Sequence, residues 1–530
     1  MTDFDVIIAG GGPVGLGLAI ELGQRDIKVL VIERFHSRLL IPKGQNMTQR
    51  TAEHFRAWQV VKEMRAKAPV PREVASTGAT GYGTLTGPYT YEWLKRGSVN
   101  AYYAEAPVRM PQYCTEWVLR DRAEAIENIT ILYDWTVEGH SQSADGVSVD
   151  IKKTKGEGVR TYKGKYLVGC DGAWSKVRED AGIEQAVDAR GRRMILTVVN
   201  SPELSKLVDE KFPGMDFFNV LVPELEGYWQ FLGRVDMEGD WFFHRPVASD
   251  TDADNVDVRA LLTGAVGVDF DLEVKYLGFW DLRFAQAKTY RSERVFVAGD
   301  AGHAHPPYGG YGVNSGFEDV RNLGWKLAAV LKGWAGETLL DSYQEERHPV
   351  FASTRDDFIA KMIDVDAAFT ASFNPAQDKA AFEAAWAERS KPQAEVNQFV
   401  PNYAGSSLVA GEGRPSALGA HSFAAEAGYH LAPATLSDGS CVYDHLGQDF
   451  SLVVLNGEAE AVEAIANAAN SHGIPLNVLR LTATEETARW GADCLLVRPD
   501  HFVAYAGTSD SEAISNCLMA STGNKVVEYV

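Results

Sequence analysis

Apolar residues come in short unbroken runs near the amino-terminal end of this chain and in alternating runs further on. Val6-Ile7-Ile8-Ala9 is a compact apolar run rich in β-branched side chains, which predicts a strand covered on both faces. Leu16 to Leu22 reads as a helix with small residues on one side, and Val29-Leu30-Val31-Ile32 is a second strand of the buried type. Two more such runs, Tyr166-Leu167-Val168-Gly169 and Val295-Phe296-Val297-Ala298, lie far downstream. Between them the period changes to two. Tyr228 to Arg234 and Trp241 to Arg245 alternate around an acidic turn, which predicts adjacent strands, and Phe217 to Val222 is strand-like as well. The helical period returns over 318–365. Gly405 to Gly419, rich in Gly, Ser and Ala, predicts a linker. Beyond it, strand (Phe450 to Leu455), helix (Ala459 to Ala469), strand (Leu476 to Leu481) and a hairpin from Val497 to Ala506 follow.

The first strand and helix are joined by Gly10-Gly11-Gly12-Pro13-Val14-Gly15. This G-x-G-x-x-G stands where a dinucleotide-binding fold needs it. Gly10 permits the tight turn, Gly12 lets backbone approach a pyrophosphate, and Gly15 lets helix and strand pack closely. The second strand ends in Glu33, followed by Arg34; a carboxylate there, about 20 residues past the glycines, suits a ribose hydroxyl. A lone glycine motif is weak, but here every neighbouring element is in order. It does not choose between NAD and FAD.

Composition narrows the classes. A chain of 530 residues is long enough for two or three domains. A formal charge of −21 argues against a nucleic-acid partner. The sequence has no basic leader before its first strand and no apolar stretch of about 18 residues, so a cytoplasmic protein without a membrane span is expected. Its five cysteines show no C-x-x-C spacing, which fits unpaired thiols in a reducing compartment. His303 and His305 form an H-x-H pair, but their loop offers no third ligand, and no metal is expected. Ser175 lacks the glycines of a nucleophile elbow.

Two later motifs decide the cofactor. The Tyr166 strand ends in Cys170-Asp171-Gly172, and the Val295 strand ends in Gly299-Asp300 and continues through Pro306-Pro307 to Gly309-Gly310-Tyr311-Gly312-Val313-Asn314. With the glycine turn, these stretches resemble the group A flavoprotein monooxygenases, the aromatic hydroxylases of the p-hydroxybenzoate and phenol hydroxylase type. The resemblance extends to Arg50-Thr51-Ala52-Glu53, to Gln112 with Glu116 and Leu119, and to the run Asp341 to Pro349. It implies non-covalent FAD held by Gly10, Gly12, Pro13, Val14, Gly15, Glu33, Arg34, Lys43, Gln112, Asp171, Asp300, Pro307, Gly310, Gly312, Val313 and Asn314. Asp300 would accept from a ribityl hydroxyl. The helix start at Gly312 would hold the negative charge of reduced flavin at its N1–C2=O edge. Asp171 would be an indirect contact to cofactor or nicotinamide. Lys43 stands where the family often has Arg, and Val313 where it often has Met.

The implied architecture is an α/β FAD-binding fold, Rossmann-like and of the glutathione-reductase type. It would be discontinuous over 1–75, 104–185 and 279–400. A mostly antiparallel β-sheet substrate domain (76–103 and 186–278) would be inserted into it. The carboxy-terminal 401–530 resembles the thioredoxin-like domain of the phenol hydroxylase subgroup, with packing or homo-oligomer formation as its expected role. The implied reaction uses NAD(P)H as a transient co-substrate and O2, and passes through a flavin C4a-hydroperoxide to hydroxylate a small phenolic or related hydroxylated aromatic compound. Tyr228, Gln230, Trp241, Phe243 and Pro306 are the expected substrate-pocket residues; no side chain stands out as the catalytic base. The same fold supports epoxidation and Baeyer–Villiger insertion. Flavin halogenases share it but carry a W-x-W-x-I-P signature absent here. A cofactor-free binding protein would not need the loop through Asn314.

Overall fold

The computed structural model describes residues 2–37, 39–74, 77–93, 95–391 and 395–524, with backbone only at 189–191. The expected borders at 75–76 and the ends at 1 and 530 lie outside these residues. The amino-terminal runs form the centre of a six-stranded sheet in the order Arg291–Ser292, Val295–Val297, Tyr166–Gly169, Val6–Ala9, Val29–Glu33, Ile129–Tyr133. All pairs but the outermost, Arg291–Ser292 with Val295–Val297, are parallel. Val6 and Ile8 face the helices Pro13–Gly23 and Gly312–Leu331, whereas Ile7 and Ala9 face an antiparallel meander, Trp135–Ser143, Gly146–Lys153 and Val159–Gly164. Two covered faces explain why these strands are apolar throughout.

The alternating segments form an eight-stranded sheet, in the order His303–Ala304, Glu273–Ala287, Gln185–Asn200, Asp240–Val247, Gln230–Arg234, Phe217–Leu221, Gly78–Tyr82, Thr90–Trp93. The segment 76–103, expected to belong to the substrate domain, supplies two strands of this sheet, Gly78–Tyr82 and Thr90–Trp93. The long strands Gln185–Asn200 and Glu273–Ala287 run across the expected borders at 186 and 279. Through His303 and Ala304 the sheet reaches the loop after Asp300.

The carboxy-terminal part holds a four-stranded sheet, Leu476–Arg480, Phe450–Val454, Cys494–Val497, Val503–Gly507, with the helices Ala459–Ser471 and Ser511–Ser521. The stretch expected as a linker is anchored: Leu408 and Ala417 are buried, and Ser416–Leu418 pairs with Phe399–Asn402. Small residues there allow close approach, not slack.

Charges buried between the parts hold them in register. Glu346, on the helix Ser342–Ser353, accepts from Lys326 Nζ at 2.7 Å, Asn322 Nδ2 at 2.7 Å, Ser406 Oγ at 2.7 Å and both terminal nitrogens of Arg498 at 2.5 and 2.9 Å. Arg498 also meets Asp500 at 2.7 Å. Glu21 is a second such centre, accepting from Arg321 at 2.6 Å, Trp58 Nε1 at 2.7 Å and Arg25 Nε at 3.0 Å. Burial pushes the Glu21 carboxyl up, but Arg321 and Arg25 together outweigh it and hold it at about 2. A carboxyl depressed on folding contributes stability that is full above its unfolded pKa, about 4.3, and is lost as pH falls toward 2. Glu21→Gln is therefore expected to flatten the fall of the urea midpoint between about pH 4.5 and 2. An unchanged slope would place the acid sensitivity elsewhere.

Candidate FAD and substrate site

The glycine turn is built as backbone geometry requires. Gly10 has φ +103°, and a Cβ there would overlap the Cys170 carbonyl. One at Gly15 would overlap the Gly10 carbonyl, whereas one at Gly12 would meet nothing within 4 Å. The open side of Gly12 is the start of the helix Pro13–Gly23, with Pro13 in its first turn, so free N–H groups and partial positive charge face that space. Glu33 is fixed at the strand end: Oε2 accepts from Gly11 N–H at 2.7 Å and Oε1 from Phe35 N–H at 2.8 Å. Arg34 is exposed and lies over the Phe35 ring.

Val14 joins the first motif to the third. A Cβ at Gly299 would lie 3.1 Å from a Val14 methyl, and one at Gly316 would lie 2.6 Å from it. Both glycines are needed for the helix Gly312–Leu331 and the Gly299–Ala301 turn to close on Val14. Asp300 beside them is exposed, and no hydrogen-bond donor among the described residues reaches its carboxylate. The surrounding protein nevertheless desolvates it and pushes its pKa up, against the pull of His303, Lys43 and Arg283. Lys43 is exposed, and the Gly44 that follows it packs against Val313, with Gly44 N–H 3.4 Å from Gln112 Oε1. Gln112 begins a further helix, Gln112–Glu124, and its Nε2 donates to Glu116.

The loop after Asp300 is tied down at many points. His303 Nε2 meets Asp319 at 2.6 Å, and Asp319 also accepts from Gly299 N–H and Arg347 Nε. Pro306 is buried and Pro307 half-buried; Gly309 and Gly310 both have φ +69°. Asn314 is a fastener. Its Oδ1 accepts from Thr48 N–H and Thr51 Oγ1, and its Nδ2 donates to the carbonyls of Asn46 and Gly310. The backbone N–H groups of Gly312, Val313 and Asn314 have no carbonyl partner among the described residues. Three aligned donors at the head of a 20-residue helix are a ready acceptor site for negative charge.

Asp171 takes a different place. Its carboxylate accepts from Ser175 Oγ at 2.5 Å and Val177 N–H at 3.1 Å, so it supports the start of the short helix Lys176–Asp180, which Ser175 caps. Contact with the glycine turn comes from backbone, the Cys170 carbonyl and the Asp171 Cα. Arg178, in the first turn of that helix, donates to Ala301 O at 2.8 Å and so ties the second motif to the third.

The sheet presents one aromatic face to this loop. Phe217, Phe231 and Phe242 cluster with Tyr308, whose hydroxyl accepts from Trp229 N–H at 3.1 Å. His244 stacks on Phe231 with ring centroids 4.8 Å apart. Burial pushes its pKa down to about 3, leaving a neutral imidazole whose Nδ1 has no partner among the described residues. Arg109 clamps the face to the cofactor side: Nε meets Asp216 at 2.7 Å, Nη1 donates to Asn46 Oδ1 and Nη2 to Arg234 O.

A family model described as an FAD binding domain matches residues 3–357, and one described as the carboxy-terminal domain of aromatic-ring hydroxylases matches residues 425–524. The 4-methyl-5-nitrocatechol 5-monooxygenase of a Burkholderia species is 31% identical over 561 aligned positions, covering 97% of each chain. The chain belongs to the FAD-dependent aromatic-ring hydroxylases. It is thus a flavoprotein monooxygenase, and FAD is its cofactor. The rifampicin monooxygenase of Streptomyces venezuelae is 35% identical over 68% of this chain and 71% of its own. Among solved structures, the rebeccamycin biosynthetic enzyme RebC with reduced flavin superposes with a TM-score of 0.84 at 27% identity, over 98% of this chain and 99% of that one.

The residues present in this hydroxylase fit FAD: an open face at Gly12, an anchored Glu33, an unpartnered Asp300 carboxylate and a helix head without acceptors. The expected substrate residues need correction. Trp241 and Phe243 lie on the far face of the sheet, buried against the helices Pro202–Lys211 and Val258–Val266, with Trp241 Nε1 donating to Ser205. Gln230 shares the parity of Leu232 on that face and accepts from Arg245. Alternation had placed each residue on a face but not said which face looks inward. Tyr228 and Pro306 do lie toward the loop; Tyr228 belongs to the aromatic cluster, with the Arg192 guanidinium over its ring. Phe231, Phe242, His244 and Arg109 were missed, although the parity opposite to Trp241 marks the first three.

Proposed function

We propose that this monooxygenase uses NAD(P)H and O2 to hydroxylate a phenol or a related hydroxylated aromatic compound. The observation that carries the reading is the aromatic face of Phe231, Phe242 and His244 beside a helix head with three unpartnered N–H groups. A flat ring suits that face, and the apolar walls exclude water. The Burkholderia relative, named for a nitrocatechol, supports a ring-hydroxyl substrate.

FAD, held non-covalently and reduced by a nicotinamide that binds transiently, supplies the oxygen activation. The chain's own residues do the rest. Glu33, Gly12 and the start of the helix Pro13–Gly23 hold the dinucleotide end, with Lys43 adding positive charge near the phosphates. Asp300 accepts from the ribityl chain. The N–H groups at Gly312, Val313 and Asn314 would stabilise negative charge on the reduced cofactor. His244 Nδ1 is an acceptor for the substrate hydroxyl, which raises electron density in the ring.

NAD(P)H consumption by the FAD-loaded protein is expected to be slow alone and at least tenfold faster with an accepted phenol. One atom from labelled O2 should appear in the product. Stimulation by ketones or halide, with none by a broad panel of phenols and hydroxylated heteroaromatics, would overturn the hydroxylase reading and leave the FAD fold intact.

A further inference from the structure

A second cavity lies where the carboxy-terminal part meets the flavin loop. Its walls are Tyr102, Tyr311, Phe399, His421 and Phe502, and Arg96 reaches into it; Phe231, Phe242 and His244 do not line it. Arg96 is 3% and Tyr311 2% exposed, yet Arg96 Nε and Nη1 and the Tyr311 hydroxyl have no hydrogen-bond partner among the described residues. Glu395 beside them uses one oxygen to accept from Trp93 Nε1 at 3.3 Å, while its other oxygen is buried and also without a partner. Arg50 pairs with Glu318 and Arg347 with Asp319, although Arg50 Nε is also without a partner among the described residues. Arg96, Tyr311 and Glu395 together leave four polar atoms unsatisfied at one corner.

Buried donors left without acceptors are costly, and native proteins seldom retain them without a use. The aromatic walls are arranged for a flat ligand: Tyr311 stacks on Phe399 at 4.1 Å, and Tyr102 on His421 at 5.0 Å. A cation with two free donors beside a free phenol hydroxyl calls for an anionic oxygen group on that ligand. Glu395 opposes an anion only when ionised, and burial pushes its carboxyl toward the neutral form, against the pull of Arg96.

We propose that this cavity is a second ligand site, which binds a flat aromatic anion through Arg96 and Tyr311. It goes beyond the hydroxylation reading, because it lies off the substrate sheet. It also has a route to the flavin: Arg96 Nη2 donates to the Gly309 carbonyl, in the turn that leads into the helix head at Gly312. A ligand that draws on the Arg96 guanidinium acts on that turn.

The test is calorimetric titration of the FAD-loaded protein with benzoate, and with benzamide as its neutral counterpart. Benzoate is expected to bind at least tenfold more tightly than benzamide, since hydrogen bonds to charged groups are the stronger ones. Arg96→Met should weaken benzoate more than tenfold. Tyr311→Phe, which removes one oxygen and leaves the Gly309 contact, should weaken it several-fold, and Glu395→Gln, which fixes the neutral form that burial favours, should not weaken it. The proposal falls if benzoate fails to bind at millimolar concentration, or if Arg96→Met and Tyr311→Phe both bind it like the unaltered protein. It also falls if Phe242→Ala on the sheet abolishes binding while those two do not. Phenol-stimulated NAD(P)H consumption is read separately, so either reading can fail without the other.

Discussion

Replacing Glu346 with alanine is expected to lower the unfolding free energy by about 3–5 kcal/mol, the typical result of stranding buried charges. Lys326 and Arg498 would both lose their shared carboxylate, in surroundings where each is fully buried. Burial already presses the Lys326 ammonium down to about 8, with Glu346 as its main support. The loss should appear as a lower urea midpoint, and as easier proteolysis within 403–418, where Ser406 is held by the same carboxylate. Glu346→Gln should recover part of it by keeping a hydrogen-bonding oxygen. If Glu346→Ala costs less than about 1 kcal/mol, the network contributes register and not stability.

Asp300→Ala is expected to weaken FAD binding by about ten- to a hundredfold, the worth of a hydrogen bond to a charged group. The reason is the contrast between two carboxylates. Asp171 spends both oxygens at the start of the helix Lys176–Asp180, whereas Asp300 is exposed and without a donor among the described residues beside Gly299, where Val14 brings the first and third motifs together. Titration of apoprotein with FAD, followed by flavin fluorescence, measures the change directly. Unchanged affinity in a folded Asp300→Ala protein would remove Asp300 from the cofactor site.

Much of the cofactor end was legible in the sequence because it rests on backbone rules. Only glycine can occupy positions 10 and 15, and apolar runs such as Val6 to Ala9 mark strands covered on both sides. The substrate end was less legible because alternation defines two faces with equal clarity, and the helices that cover Trp241 and Phe243 come from distant segments, 202–211 and 258–266. The run Asp341 to Pro349 stood out without a stated task. Its meaning lies in contacts from Glu346 and Arg347 to residues 319, 326, 406 and 498, which no local pattern can reveal. The stretch 405–419 was misread for the same reason: small residues serve slack chain and tight packing alike.

The order of strands in the central sheet has a consequence for synthesis. Val6–Ala9 emerges first from the ribosome and finds one neighbour, Val29–Glu33, almost at once. Its other edge waits for Tyr166–Gly169, and that strand in turn waits for Val295–Val297. At translation speeds of about 5–20 residues per second, the nascent chain carries an open apolar edge for roughly 15–60 seconds. Non-local parallel pairing is slow and aggregation-exposed, so the yield of this protein from a cell should depend on chaperone capacity during that interval.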